Sequence, residues 1–356
     1  MSQNWMRHFE LQLVSENKPG ISLSDFKVTF DIERNDNRWP ATANFKIYNL
    51  SPETQNRIMQ REFSKIIIIA GYDGIAPDYT RDQVDVERQL EPEQVGQTAG
   101  SNFGVLFSGE IRFAVTGKEN ITDSWISIQA CDGEQAFYNA FISANLQRGY
   151  TKRDVYNLLM DNLKPYGIVP GVVPEFPSVV YPRGATFYGP VRDYLSTLAE
   201  DLQATWQFSY GRLDMIQKDV ATHTAVVLNA DTGLIGMPQQ TIGNGVNIRC
   251  LINTRIHLHG LVQLDQASVY RAELSGDQVV KAGGPLRERE TNGNLTVSGL
   301  AQKENPANIA TDGVYIVRYI MITGDTRGKA WYMDMACEAR GNADVNSEST
   351  LVKWGA

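Results

Sequence analysis

Two stretches of this sequence read alike: IRFAVTGKENITDSWISIQACD at residues 111–132, and VRYIMITGDTRGKAWYMDMACE at residues 317–338. An arginine, an aromatic residue, a tryptophan, an alanine, a cysteine and an acid correspond at a constant offset (331 − 125 = 206), and only a Thr-Gly pair slips by one place. Each copy predicts a strand, a polar turn and a returning strand. We expect two similar β-structures whose cores contain Trp125, Cys131, Trp331 and Cys337.

Alternating apolar residues extend this β-pattern through the first 145 residues. In residues 26–33 every second side chain is apolar, which is typical of a strand with one buried face. Residues 65–72 are almost continuously apolar, as in a strand covered on both faces. Several short strands separated by turns favour a sandwich or a barrel. From about residue 218 the sequence returns to strands, one of them predicted over residues 254–264.

The middle of the chain changes to a helical period. Thr151 predicts the N-cap of a helix with Asp154 in its first turn, and Pro165 ends this helix. A second helix begins at Pro190, and a hairpin over residues 205–217 follows it. The sequence therefore predicts a mainly β protein with a smaller α/β module. Its predicted parts are a first β-barrel (1–145), the module (146–217) and a second β-barrel with additional strands (218–356).

Acidic residues are concentrated in one segment. The chain of 356 residues has a formal net charge of −8 and is 42% hydrophobic, which excludes a disordered chain and gives no reason to expect a basic groove for nucleic acid. Residues 73–103 are predicted to form a long acidic loop between two strands, either a solvated insertion or a docking loop. The docking interpretation places partner contacts at Asp82, Asp85, Glu87, Glu91 and Glu93.

Residue types suited to catalysis or metal binding are sparse. His257 and His259 would share one face of a strand, but two ligands leave a tetrahedral site incomplete, so we expect exposed strand histidines, no metal and no cofactor. The three cysteines have no Cys-x-x-Cys spacing and are expected to be inert core thiols. The sequence contains no Gly-x-Ser-x-Gly elbow, phosphate loop or dinucleotide fingerprint, so we expect no enzyme.

The sequence also indicates the compartment in which the protein is made. No apolar run approaches the ~20 residues needed to cross a bilayer. The first residues lack the unbroken apolar stretch of a signal peptide, and the odd number of cysteines suggests no disulfide framework. We expect synthesis in the cytoplasm and no membrane-spanning segment.

Several strand-and-turn patterns, taken in their order along the chain, resemble the tail hub (baseplate hub) proteins of contractile-tailed bacteriophages. In the first half the similar stretch is FKIYNLSPET at residues 45–54. In the second half the similar stretches are residues 231–241, 245–253, 260–264, 312–317 and 324–328, followed by Trp331 and Tyr332. The acidic segment is longer than the tight hairpin that the resemblance implies at that position.

The resemblance implies a definite architecture and a set of partners. Such hubs form a homotrimeric ring in which each chain contributes two tail-tube-like β-barrels flanking the helix-containing module. The ring joins a six-fold tail tube or distal tail protein to a three-fold central spike, with baseplate wedge or sheath-initiating proteins around it. The resemblance thus implies a virion protein of the tail baseplate, assembled in the host cytoplasm. Phage DNA would pass through without specific binding, because a wall of net negative charge repels phosphate.

Alternatives stay open at this point. The hub of a type VI secretion spike or of a contractile bacteriocin would share the fold. A tail-associated cell-wall hydrolase would need a carboxylate pair, for which Asp132 with Glu134, or Asp73 with Asp78, are the candidates. A soluble carbohydrate-binding β-protein would account for the aromatic content.

Overall fold

The computed structural model describes residues 6–15, 20–73, 102–217, 225–240, 245–264, 287–289, 295–297 and 313–339. These residues are mainly β, which confirms the predicted class. The helices among them are α1 (Pro52–Met59), α2 (Glu134–Asn139), α3 (Lys152–Leu163) and α4 (Val191–Asp201). None of the helices in this part of the chain is long and apolar enough to cross a membrane.

Twenty strands lie in the described ranges. Those before the α/β module are β1 (Arg7–Val14), β2 (Ile21–Leu23), β3 (Val28–Asn35), β4 (Thr42–Tyr48), β5 (Lys65–Tyr72), β6 (Asn102–Lys118) and β7 (Ser124–Cys131). Those of the module are β8 (Phe141–Leu146), β9 (Val169–Pro170), β10 (Ala185–Pro190), β11 (Ala204–Ser209) and β12 (Arg212–Gln217). Those after it are β13 (Val226–Leu228), β14 (Gln239–Gln240), β15 (Gly245–Leu251), β16 (Leu261–Leu264), β17 (Arg287–Arg289), β18 (Leu295–Val297), β19 (Val314–Asp325) and β20 (Trp331–Ala339).

Strands from both ends of the chain form one large sheet. Its thirteen strands run β14-β15-β20-β19-β3-β4-β7-β6-β5-β1-β2, with β16 paired to β19 and β13 paired to β16. The two halves join where β19 and β3 pair antiparallel, Tyr319 opposite Asn35 and Asp325 opposite Thr29. Side chains of both halves pack in a single apolar core, in which Phe30 and Trp331 lie edge to face. The division into two barrels stays a prediction, because the described pairing is an open path from β14 to β2.

The α/β module has an apolar core of its own. α3 begins where the sequence predicts: the Thr151 hydroxyl accepts from the Asp154 N–H, and the Asp154 carboxylate accepts from the Thr151 N–H. α4 packs against α3 and buries an apolar stripe, and Pro190 is its N-cap and not, as predicted, its first residue. The turn between β11 and β12 consists of Tyr210 and Gly211, both at positive φ, as a two-residue hairpin loop requires.

The structure confirms the predicted bounds of one strand and shortens another. β5 has the predicted bounds, and the chain leaves it at Tyr72 to return at Asn102, directly opposite, so the acidic segment joins two paired strands. Residues 74–101, which contain the five predicted partner-contact acids, lie outside the described residues. Of the strand predicted over residues 254–264, only Leu261–Leu264 is a strand, since residues 254–259 form turns that carry both predicted histidines.

Candidate functional site

The duplicated stretches fold into two matching hairpins, β6–β7 and β19–β20. In each, the ladder is interrupted at the shared arginine: the register shifts between Ile111 and Phe113 in the first hairpin, and between Val317 and Tyr319 in the second. The arginines Arg112 and Arg318 therefore occupy equivalent β-bulges. The repeated arginine in the sequence is thus the mark of a repeated backbone irregularity.

The returning strands of the two hairpins differ by one residue in register. Ala114 lies opposite Ile128, whereas Ile320, its counterpart at an offset of 206, lies opposite Met335 and not Asp334. A shift of one residue moves every side chain of a strand to the other face. The prediction that both tryptophans enter a core is therefore wrong for one of them.

The two tryptophans consequently have different surroundings. Trp331 is 2% exposed and stacks edge to face on Phe30 in the core of the large sheet. Trp125 is half-buried on the opposite face, where the Lys46 ammonium lies 4.9 Å from its ring centroid. Cys131 and Cys337 are both buried.

Charged side chains around the second bulge link the large sheet to the module. Arg318 donates from Nε to Glu338 (2.8 Å) and from its terminal nitrogen to Asp36 Oδ2 (2.9 Å), while the other oxygen of Asp36 lies 2.8 Å from His259 Nε2. His259 is 1% exposed and also contacts the Thr205 hydroxyl on β11 at 3.2 Å. The expectation of an exposed strand histidine is wrong at this position.

The electrostatics of this cluster favour an ionised Asp36. Burial raises the pKa of Asp36, but the hydrogen bond and charge of His259, with contributions from Thr205 and Arg318, outweigh that effect and hold the pKa below its usual value. Sequence reasoning missed this cluster, because its members come from four distant segments. The repeated arginine was the one available signal.

A second polar contact joins the end of β7 to the module. The Asp132 carboxylate accepts from the backbone N–H groups of Tyr210 and Gly211 (3.2 Å for Gly211), and Asp132 is 2% exposed. Burial raises its pKa to about 6, against the opposing charge of Arg34 and the two N–H donors. Arg34 itself lies against the Tyr210 ring, 4.3 Å from its centroid, and donates to the Leu106 carbonyl. Asp132 thus holds the β11–β12 turn against the sheet.

The candidate residues for chemistry are engaged in these structural contacts. Glu134 pairs with Arg112 (3.0 Å), and Asp73 lies 2.8 Å from His8, while Asp78 is outside the described residues. Burial raises the pKa of the Cys131 and Cys250 thiols to about 12 and raises that of Cys337, so the described thiols are unreactive. No group of three or more metal-ligating side chains occurs in the described part of the chain.

A cleft of about 810 Å³ separates the module from the large sheet. Arg34, Trp39, Tyr210, Arg212 and His257 are among the residues that line it. The predicted pair of histidines is therefore divided, with His257 at the cleft and His259 in the Asp36–Arg318 cluster. Ser108, Ser209 and Asp214 also line this cleft between the two packed units.

The face of the large sheet that points away from the core is polar. Asp31 lies beside Asn44 and Gln129 along one row across β3, β4 and β7, and Asp31 and Glu33 are both exposed. Two cations in the described part of this face are paired: Arg249 with Asp334 through two hydrogen bonds (2.6 and 2.9 Å), and Lys46 with Glu119. Asp31 and Glu33 of β3 accept hydrogen bonds from the uncharged side chains of Thr323 and Asn35, which leave both negative charges in place.

Two solved phage tail proteins have a similar fold. The 43 kDa tail protein of prophage MuSo2 from Shewanella oneidensis superposes with a TM-score of 0.52 at 8% sequence identity, covering 93% of this chain and 97% of that one. The tail protein from Neisseria meningitidis MC58 superposes with a TM-score of 0.51 at 8% identity, covering 95% and 99%. No model of a known protein family matches the sequence, and no curated protein matches it either. The chain therefore has the fold of these phage tail proteins, as its sequence resemblance predicts.

Proposed function

We propose that this chain is a structural protein of a phage tail that forms a homotrimeric hub ring between the tail tube and the central spike. The observation that carries the proposal is the shared fold, which extends over nearly the whole length of this chain and of both solved tail proteins. Both of those proteins are tail proteins. The low identity means that the match supports a common architecture and not a common set of contact residues.

The internal duplication supports the trimeric part of the proposal. One chain carries two hairpins with equivalent bulges, and the strands β3 and β19 join the two halves within the chain. Three such chains would present six similar units around one axis. A ring of this kind can meet a six-fold tube on one side and a three-fold spike on the other.

The polar face of the sheet supports a role in lining the DNA channel. Asp31 and Glu33 are exposed on β3, while the nearby cations Arg249 and Lys46 are already paired with acids. Such a wall repels the phosphate backbone, so DNA would slide past it without being held. The face would then serve passage of DNA and not recognition of its sequence.

The role we propose is non-catalytic. In one candidate hydrolase pair, Asp132 is enclosed by the Tyr210 and Gly211 backbone, and Glu134 is paired with Arg112. A retaining or inverting hydrolase needs both carboxylates in reach of substrate. The partners we propose are a second and third copy of the chain, the tail tube or distal tail protein, the spike, and baseplate wedge or sheath-initiating proteins.

Native mass spectrometry and electron microscopy of the purified chain, alone and with its spike protein, test this function. We expect a species of three times 39.7 kDa and a ring with six similar units around an acidic lumen. A monomer at every concentration, with and without the spike, would contradict the ring, and a lumen lined mainly by Lys and Arg would contradict the channel. Release of peptidoglycan fragments that Glu134→Gln abolishes would favour the hydrolase instead.

A further inference from the structure

We propose that the exposed face of the small sheet β8–β10 in the α/β module binds a neutral carbohydrate chain. The ligand is an uncharged oligosaccharide, held by aromatic rings and by hydroxyl and amide groups. This site does not depend on the proposed ring, because the whole face belongs to the module of a single chain. We call this face the platform, and it consists of the side chains of Phe141, Ser143, Asn145, Thr186, Tyr188 and Pro190.

The two faces of this small sheet have different surroundings. Ile142 of β8 and Phe187 of β10 are buried in the core of the module. Because successive side chains of a strand point to opposite faces, the platform residues lie on the side away from that core. They form three directly opposed pairs, which are Phe141 with Pro190, Ser143 with Tyr188, and Asn145 with Thr186.

Two aromatic rings stand exposed on the platform. Tyr188 is 72% exposed, more than any other aromatic side chain among the described residues, and Phe141 is 49% exposed. The two rings lie edge to face, with centroids 5.0 Å apart and an interplanar angle of 87°. Covering aromatic surface of this size is favourable, so its exposure on a regular strand indicates a place where another molecule binds.

The polar residues of the platform select the chemistry of the ligand. Ser143, Asn145 and Thr186 are exposed, and their side chains form no hydrogen bond with another described residue. Their hydroxyl and amide groups can both donate and accept hydrogen bonds. All platform residues are uncharged, in a chain of which 21% is charged, so this face does not attract nucleic acid or anionic lipid. A sugar offers hydroxyl groups together with an apolar C–H face, which matches polar groups beside aromatic rings.

The size of the platform favours a small ligand over a protein. From Phe141 to Asn145 the strand spans about 14 Å, and the two strands lie ~4.8 Å apart. With its side chains the platform therefore covers on the order of 150 Å². A stable protein interface needs about 800 Å² from each partner. The platform is too small for such an interface and has the dimensions of a short stretch of linked sugar rings.

The outer edge of β10 is closed to a further strand where the platform is most aromatic. The Tyr188 N–H donates to the Tyr194 hydroxyl (2.9 Å), and that hydroxyl donates to the Tyr188 carbonyl (3.2 Å). Pro190, two residues further along the same edge, has no N–H to offer. Added strands need a row of free backbone groups. A ligand on β10 therefore contacts the side chains of the platform and not the backbone of this edge.

The same tyrosine holds the platform rigid. The Tyr194 ring packs edge to face on the buried Phe187, with centroids 5.3 Å apart. It also passes close to the backbone at Gly189, where a Cβ would lie 3.7 Å from the ring. The strand that carries Tyr188 is thus fixed by a side chain of α4 before any ligand arrives. A surface that is already ordered loses less conformational entropy on binding.

Isothermal titration calorimetry of the full chain with uncharged oligosaccharides tests the site. The probes are N-acetylated chitohexaose, cellohexaose and maltohexaose, and we expect at least one of them to bind. Tyr188→Ala and Phe141→Ala should each weaken this binding by ~10-fold or more, because each removes a ring on which a sugar stacks. Tyr188→Phe keeps the ring and should retain most of the affinity. Phe113→Ala is the matched control, since Phe113 is 47% exposed on β6, outside the platform.

Saturation-transfer difference NMR of the wild type tests the stacking without any substitution. Irradiation of the aromatic protons of the protein should transfer saturation to the C–H protons of the sugar that binds. Circular dichroism of Tyr188→Ala and Phe141→Ala should match that of the wild type, because substitutions of exposed side chains leave the core of the module intact. A loss of binding in these variants then reports on the platform and not on the fold.

Three results would overturn the carbohydrate site. The first is that none of the probes binds at millimolar concentration, and the second is that Phe113→Ala weakens binding as much as Tyr188→Ala. The third is self-association of the chain that Tyr188→Ala abolishes while no sugar binds, which would assign the platform to a second copy. The proposed function fails separately: a chain that binds a sugar but never forms a trimer keeps the platform and contradicts the ring.

Discussion

The buried carboxyl of Asp132 predicts an unusual dependence of stability on pH. Its folded-state pKa is raised to about 6, because burial disfavours the charged form more than Arg34 and the two N–H donors favour it. The ordinary value in an unfolded chain is 3.8. The folded state therefore binds this proton more tightly. The contribution of this group to stability is present at low pH and lost as the pH rises toward and through about 6.

Asp132→Asn removes this titration, so the comparison of variant and wild type isolates it. About two pKa units at 1.36 kcal/mol each give a total of about 3 kcal/mol. Roughly 2 kcal/mol of that falls between about pH 4.5 and about pH 7. Asparagine keeps an oxygen for Tyr210 but not a second acceptor for Gly211, which costs about 1 kcal/mol at every pH.

Urea denaturation at matched protein concentration, followed by tryptophan fluorescence, measures the free energy of unfolding across this range. We expect the free energy of unfolding of Asp132→Asn to increase relative to that of the wild type as the pH rises. Asp123→Asn is the control with no slope in this range, because hydrogen bonds from Asn120 and Asn49 lower the pKa of Asp123 from 3.8, so its contribution to stability is lost only at lower pH. Parallel curves for the wild type and Asp132→Asn would refute the reasoning.

Two further predictions use the duplicated hairpins as matched pairs. Trp331→Ala should lower the free energy of unfolding by about 3–5 kcal/mol because it empties a core site. Trp125→Ala should lower it by about 1 kcal/mol or less. Equal losses in urea titrations would contradict the one-residue register difference. Arg318→Ala should cost about 2 kcal/mol, because it removes a hydrogen-bonded cation from the partly buried Asp36 and leaves His259 beside it. Arg112→Ala, whose partner Glu134 is less enclosed, should cost about 1 kcal/mol or less. A thermal-melt ranking in the reverse order would show that the Asp36 cluster is not coupled as described.

Local signals predicted the elements that depend on neighbouring residues. The Thr151 cap and the bounds of β5 follow from residues within a few positions of each other, and the structure places both as predicted. The likeness of the two hairpins was also visible, because their arginines mark the same bulge. The orientation of Trp125 could not be predicted, because it depends on the number of residues in the turn between β6 and β7. The alignment of the two copies that gives the most identical residues matches Trp125 with Trp331, although these side chains lie on opposite faces of the sheet.

The polar clusters were beyond sequence reasoning for a different reason. His259 is buried because Asp36, Thr205 and Arg318, from three other segments, meet around it. Only the joining of β3 to β19 brings these segments together, and no pattern within either strand specifies that contact. Asp132 was considered for its charge, while its actual role depends on the turn of a distant hairpin.

The ends of β5 and β6 stand side by side at Tyr72 and Asn102, so a two-residue turn would be enough to connect them. The number of residues in the connection consequently does not affect the pairing of β5 with β6. This makes the position a natural splice point for engineering: a reporter domain with adjacent termini could replace residues 74–101 while the same backbone groups stay bonded. A tail particle built from such a fusion would display its cargo at one fixed site per subunit.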